Sequence, residues 1–203
     1  NILLGTIDGL YIYDKADDRF RRIFEGEKLN HQEIYSLDED KNGDIWIGTA
    51  KGLTKINLQN NAYDKFTSEN IEGWQFEELV YKIICDNDNL WIGTLTSGIY
   101  KINIKTLEIE NINSENSDLA SNTIYTILKD DNEVIWFGTD SGLIKYDSIN
   151  KTFKNYFNKS YDKYSLVDDE VYSMIKDKSG LIWVGTYAGV SMFEAKNRIE
   201  HYK

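Results

Sequence analysis

Four stretches of this chain share one alternation of apolar and polar positions. Each closes on the same five-residue run: Ile45-Trp46-Ile47-Gly48-Thr49, Leu90-Trp91-Ile92-Gly93-Thr94, Ile135-Trp136-Phe137-Gly138-Thr139 and Ile182-Trp183-Val184-Gly185-Thr186. A fifth copy without tryptophan, Leu3-Leu4-Gly5-Thr6, opens the sequence. The motif glycines follow one another at intervals of 43, 45, 45 and 47 residues. Self-similarity at a period of 20 to 50 residues marks a repeat architecture.

Ahead of each tryptophan stands a second apolar segment: Ile34-Tyr35-Ser36-Leu37, Val80-Tyr81-Lys82-Ile83, Ile124-Tyr125-Thr126-Ile127 and Val171-Tyr172-Ser173-Met174. Each is followed by an acid (Asp40, Asp86, Asp130 or Asp177). β-Branched and aromatic residues bounded by turn formers predict strands. The first strand of the unit is strand A, and the tryptophan run is strand B. The pairs Asn42-Gly43, Asp88-Asn89, Asn132-Glu133 and Ser179-Gly180 predict short A–B hairpins. After Gly-Thr comes another glycine (Gly9, Gly52, Gly98, Gly142 or Gly189) and an apolar strand C. A weaker strand D follows at 19–24, 62–66, 107–112, 152–157 and 198–202. Four short antiparallel strands per 45 residues describe a blade of an all-β propeller. The predicted division is a partial blade at 1–29 and complete blades at 30–67, 68–113, 114–158 and 159–203, making four complete blades plus three strands of a fifth.

In this scheme Trp46, Trp91, Trp136 and Trp183 are apolar plates between neighbouring blades. Gly48, Gly93, Gly138 and Gly185 mark close backbone approach where blades crowd. The second glycine serves a tight B–C turn with positive φ.

Trp-Ile-Gly-Thr followed by Gly-Leu, and preceded by Tyr-Ser-Leu or its equivalents, Asp and Asn-Gly, resembles the two-component regulator propeller repeat. The resemblance covers nearly the whole chain. It implies an extracytoplasmic sensor region of a hybrid histidine kinase or diguanylate cyclase, commonly built from seven-bladed propellers. The family's Leu-Pro-Ser-Asn ahead of strand A is approached only by Leu119-Ala120-Ser121-Asn122, and the chain has no proline. The sequence reads as a piece of something longer, either an open arc or a five-bladed ring one inner strand short. An open arc would expose inter-blade apolar surface, so self-association is expected.

The net charge of −11 argues against nucleic acid and anionic membrane partners. No apolar run reaches the length of a membrane span. The one cysteine, Cys85, sits in an apolar segment and reads as a buried small side chain.

Candidate chemistry concentrates on the D–A and B–C loops, which emerge on one face. The D–A loops differ from one another, and loops carried by a rigid scaffold are where binding residues concentrate. Trp74 and Phe76 offer aromatic plates beside the acceptors Glu77 and Glu78, which suits sugar rings or a partner's surface; alternatively these rings pack the loop onto the blade. His31, Asp168 and Asp169 join them from other D–A loops, and Lys51, Thr96, Asp140 and Tyr187 from B–C turns. Asp38 to Ile45 matches the first eight positions of a calcium-binding EF-hand loop, but Thr49 stands where the bidentate Glu belongs. No metal or cofactor is therefore expected. The four strand-end acids read as acceptors for turn N–H groups, with a carboxylate ring at a channel mouth as the alternative. Only His31 and His201 are present, and no nucleophile elbow or phosphate loop occurs. The expected function is a non-catalytic, ligand- or protein-binding module. An alternative is a dimerisation module without small ligand, and a further one is a glycan lyase or hydrolase.

Overall fold

The computed structural model describes residues 2–24, 28–66, 78–130, 133–194 and, for the backbone alone, 200–202. Among them are five antiparallel sheets, and the chain is an all-β propeller fragment of four four-stranded blades and one of three strands. The three-stranded sheet holds β1 (Ile2–Thr6), β2 (Gly9–Asp14) and β3 (Arg19–Ile23). The second holds β4 (Ile34–Glu39), β5 (Asp44–Thr49), β6 (Gly52–Asn57) and β7 (Tyr63–Phe66). The third holds β8 (Val80–Asp86), β9 (Asn89–Thr94), β10 (Ile99–Asn103) and β11 (Ile109–Ile112). The fourth holds β12 (Ile124–Lys129), β13 (Val134–Thr139), β14 (Gly142–Asp147) and β15 (Thr152–Tyr156). The fifth holds β16 (Val171–Lys176), β17 (Leu181–Thr186), β18 (Gly189–Glu194) and β19 (Glu200–Tyr202). In every sheet the strands lie in chain order. The chain divides into two compact units, Asn1–Ile92 with Lys101–Glu110, and Gly93–Tyr100 with Asn111–Lys203.

The tight turns follow the expected chemistry with one shift. Gly52 and Gly142 close their B–C hairpins at φ of 90° and 109°, where a side chain would be strained. The β8–β9 turn is Asn87-Asp88, not Asp88-Asn89, because β8 runs on to Asp86 and Asn87 takes the positive φ of 54°. Asparagine is one of the few residues that tolerates that region.

The motif glycine is the joint between blades. A methyl group on Gly48 would stand 2.6 Å from Val80 Cγ1 and 2.9 Å from the Val80 carbonyl oxygen. In the same first unit, one on Gly5 would stand 2.5 Å from Ile34 Cγ2. In the second unit Gly93 meets Ile124 at 2.6 Å and Gly138 meets Val171 at 2.5 Å. In the first four sheets strand B thus receives, on its glycine, the β-branched residue that begins the next strand A. Side chains reinforce the joint: Ser36 Oγ and Asp38 Oδ2 accept the backbone N–H groups of Ile83 (3.1 Å) and Cys85 (2.6 Å). That contact satisfies donors on the innermost strand edge, which would otherwise be a template for stray pairing.

Apolar side chains fill the space beside these joints. In the first unit Leu10, Phe24, Ile34, Ile45, Ile47 and Ile56 form one buried cluster. In the second, Trp136 and Leu143 pack with Val171, Ile182, Val184 and Phe193. Trp46, Trp91 and Trp136 are fully buried. A lysine from strand C lies over each indole: Lys55 at 5.8 Å from the Trp46 ring, Lys101 at 5.2 Å from Trp91 and Lys145 at 5.5 Å from Trp136.

The strand-end acids are structural acceptors. Asp40 Oδ1 takes the N–H groups of Asn42 (2.8 Å) and Asp44 (3.2 Å), and Oδ2 takes the Trp46 indole N–H at 3.0 Å. Asp177 repeats this with Ser179, Leu181 and the Trp183 indole, the last at 2.8 Å. Bonds from Ser179 and then Trp183 hold the Asp177 carboxyl down at about 2. Asp130 differs: its Oδ1 receives Lys176 Nζ from the next blade at 2.6 Å, and the buried Trp136 indole nitrogen has no hydrogen-bond partner. Asp40, Asp86 and Asp130 are buried, Asp40 committed to its turn and indole and Asp130 to Lys176.

Candidate functional site

The D–A/B–C face is made rigid by two recurring contacts. Each motif threonine donates its hydroxyl across the B–C turn to the carbonyl of the second glycine, at 2.8 Å for Thr49, Thr139 and Thr186 and 2.9 Å for Thr94. The amide of that glycine then donates to a carbonyl in the D–A loop of the following blade: Gly52 to Glu78 at 2.9 Å, Gly98 to Asn122 at 3.0 Å and Gly142 to Asp169 at 2.7 Å. Loops that differ in sequence are therefore held at the same height by backbone bonds indifferent to side chains.

In the first unit the structure brings the D–A loop of His31 next to the β5–β6 turn that carries the exposed Lys51. Ala50 N–H donates to the Glu33 carbonyl at 3.0 Å, and His31 Nδ1 accepts the Glu33 N–H at 3.2 Å. The imidazole is thus a local loop acceptor. Glu78 is half-buried, its carbonyl committed to Gly52. Trp74, Phe76 and Glu77 lie outside the described residues.

In the second unit Thr96 is exposed on the β9–β10 turn, and Thr123 Oγ1 donates to the Leu95 carbonyl of the same turn at 3.0 Å. Asp140 accepts the Ser121 hydroxyl at 2.5 Å. Asp168 Oδ1 takes the Glu170 N–H at 2.9 Å, and Asp169 Oδ1 takes the Asn158 N–H at 2.6 Å. Both carboxylates thus shape their loop. Tyr187 N–H donates to the Glu170 carbonyl at 3.1 Å, which sets its ring, 78% exposed, beside that loop.

Three residues absent from the sequence-based set stand beside the loops of their own units. Register shifts at Ile34/Ser36, Ile124/Thr126 and Val171/Ser173 place Tyr35, Tyr125 and Tyr172 on β-bulges, which re-aim a side chain. Tyr125 and Tyr172 stack with ring centres 5.0 Å apart and planes 28° apart. The Tyr172 hydroxyl donates to Glu170 Oε2 at 2.6 Å, and that bond, with burial and the carboxylate charge, pushes the phenol up to about 12. The first unit holds a looser version: Tyr35 and Tyr81 at 5.7 Å, and a long 3.5 Å bond from Tyr35 to Glu33 Oε2. Burial, then Glu33, raises the Tyr35 phenol. The available signal was a tyrosine at the second position of all four A strands, twice with Glu two residues earlier. Simple alternation hid it, because the bulge breaks the period.

In the second unit Tyr125, Tyr172, Tyr187 and Glu170 offer ring faces and hydrogen-bond acceptors in one patch. The EF-hand-like stretch has no such freedom: Asp38 bonds Cys85 N–H, Asp40 the turn and indole, and Asp44 the Asn57 amide at 2.6 Å. Among the described residues no group of three His, Cys, Asp or Glu could hold a metal ion. Burial and the neighbouring Asp38 and Asp40 carboxylates raise the Cys85 thiol, which keeps it protonated and unreactive. No helix of the described residues is long and apolar enough to cross a membrane, a statement that does not bear on membrane-spanning strands.

Residues 28–51, 118–141 and 165–188 match the family model described as two component regulator propeller. A 78-residue stretch is 37% identical to Histidine kinase P4 of Formosa agariphila, covering 36% of this chain and 6% of that protein. The extracellular domain of BT4673 from B. thetaiotaomicron, described as a hybrid two component system, superposes with a TM-score of 0.79 at 23% identity, over 98% of this chain and 26% of that one. PorZ, a surface component of the type-IX secretion system of Porphyromonas gingivalis, gives 0.73 at 16% identity, over 99% and 32%. The chain therefore spans a small part of each relative, and the solved structures bear on its fold.

Proposed function

We propose that this chain, which carries two component regulator propeller repeats, is the ligand-sensing part of an extracytoplasmic receptor and binds without catalytic turnover. The relatives named as a histidine kinase and as an extracellular two-component domain support the receptor context. The observation that carries the ligand reading is the exposed Tyr172–Glu170–Tyr187 cluster stacked on Tyr125. Aromatic plates flanked by carboxylate and hydroxyl acceptors suit an oligosaccharide, whose rings present C–H faces and whose hydroxyls donate. His31, Lys51, Glu78, Thr96 and Asp140 are further candidates on the loops of the same side of their blades. Occupancy would signal only by binding two arrangements of the receptor unequally.

A thermal-shift screen of oligosaccharides tests this. A ligand at a hundred times its Kd adds about 2.7 kcal/mol of apparent stability, and Tyr172→Ala with Tyr187→Ala should abolish the shift. If no glycan moves the melting midpoint, or the double variant responds undiminished, the reading fails. New reducing ends after incubation with polysaccharide would overturn the non-catalytic part.

A second reading, a self-associating module of the receptor, is favoured by exposed apolar side chains at Ile2, Leu4 and Phe20 on one blade and at Ile175 and Val190 on another. Sedimentation velocity across a hundredfold range of concentration separates the two. A concentration-independent monomer removes the association reading.

A further inference from the structure

We infer that the first unit carries a separate binding site for a small amphipathic carboxylate, an apolar or aromatic body ending in one anionic head. A cavity of about 290 Å³ opens between β2–β3 and the β6–β7 turn. That is the space of roughly ten water molecules, and it sits at the small end of ligand pockets. Its wall is apolar where Ile12, Ile23, Phe24 and Leu58 line it and cationic where Arg21 and Lys28 reach it.

Three observations separate this cavity from an incidental groove. In a protein of net charge −11, two cations, Arg21 of β3 and Lys28, line this one cavity, and among the described residues no carboxylate does. Arg21 spends one nitrogen on Asp14 at 3.0 Å, and its guanidinium carries five N–H donors in a fork that matches a carboxylate. Lys28 Nζ stands 5.5 Å over the Phe24 ring, so its charge is held at the apolar wall.

The third observation is backbone strain. Phe24 has φ of +52°, a region that a bulky residue rarely enters. Asn61, which also lines the cavity, has φ of +57°, but its counterparts Asp18, Leu107 and Lys151 share that value and mark an ordinary C–D turn. Phe24 has no such counterpart among the described residues of matching register: Phe157, which follows Tyr156 opposite Leu143 as Phe24 follows Ile23 opposite Leu10, lacks it. Non-glycine residues in this region concentrate where a fold clamps a ligand. The ring of Phe24 is buried at the cavity with the lysine above it.

An aromatic body would lie against Ile12, Ile23 and Phe24, with its carboxylate turned to Arg21 and Lys28. The probe is 3-phenylpropionate, followed by amide NMR shifts of the whole chain at low salt, with 3-phenylpropylamine as the charge-reversed control. The acid should give saturable shifts at Ile12, Ile23, Phe24 and Leu58, and the amine none. Arg21→Gln and Lys28→Gln should each weaken binding about tenfold. Both side chains are exposed, so the thermal midpoint should not move. Asp14→Asn, which leaves both cations and releases the guanidinium, should tighten binding. Phe24→Asn, which keeps a residue tolerant of this φ and removes the ring, should lose it. Equal shifts with the amine, no saturable shift with the acid, or undiminished affinity in the Arg21→Gln, Lys28→Gln double variant would each overturn the site.

Discussion

The β4–β7 blade and the β16–β19 blade carry one motif in two circumstances. In the first, Trp46 and Leu53 are fully buried, and Gly48 is pressed against Val80. In the second, Trp183 is half-buried, Val190 stands in the place of Leu53 at 38% exposure, and Ile175 on the adjoining strand is 64% exposed. Gly185, where Gly48 meets a neighbouring strand, meets only its own sheet's Ser173 hydroxyl. The strands, turns and threonine contacts are the same in both. The motif therefore contains two separable things: a hairpin that folds within the blade, and a socket whose value depends on what fills it.

Tryptophan truncation should break the comparison most strongly. Trp46→Ala leaves a large cavity and is expected to cost about 3–5 kcal/mol, whereas Trp183→Ala, losing a partly hydrated ring, should cost less than half of that; urea denaturation of both variants measures it. Glycine replacement comes next. Gly48→Ala drives a methyl into Val80 Cγ1 and a backbone oxygen that cannot step aside, for about 1–3 kcal/mol of overpacking. Gly185→Ala meets a hydroxyl that can rotate, and its denaturation midpoint should stay near that of the unaltered protein. If the two alanines cost the same, the socket account is wrong.

The aspartates give a smaller, sharper contrast. Asp40→Ala orphans two turn N–H groups and a buried indole N–H, for about 1–3 kcal/mol. The smallest effect is a titration. The Asp177 carboxyl lies at about 2 in the folded chain, below its ordinary value near 3.9. Its contribution is thus complete above about pH 4 and is lost as pH falls through about 2. The Trp183 indole N–H resonance should move over that acid range, and Asp177→Asn should remove the movement.

How far the sequence speaks follows from what each feature depends on. Strands, hairpins, buried tryptophans and the crowding at Gly48 and Gly138 were legible, because each is a local pattern repeated at one period. The threonine hydroxyl recurs in every blade, the lysine over the indole at Trp46, Trp91 and Trp136, and the indole-to-aspartate bond at Trp46 and Trp183, yet their partners are adjacent only once the strands pair. The Tyr172–Glu170 pair was hidden by a bulge that a two-residue period cannot express. Trp74 and Phe76, the aromatics the sequence makes most conspicuous, belong to a stretch that no repeat aligns and lie outside the described residues. The Arg21–Lys28 cavity draws on two blades and a strained Phe24, none of which sequence spacing announces.

The seating of a β-branched residue on a bare glycine has a consequence for how such chains change over time. Every junction uses the same two partners, so removing or duplicating one period of about 45 residues brings a familiar glycine against a familiar valine or isoleucine. Unequal recombination between repeats would then create no unfamiliar seam. The number of blades can drift while the chemistry on the loops is altered independently.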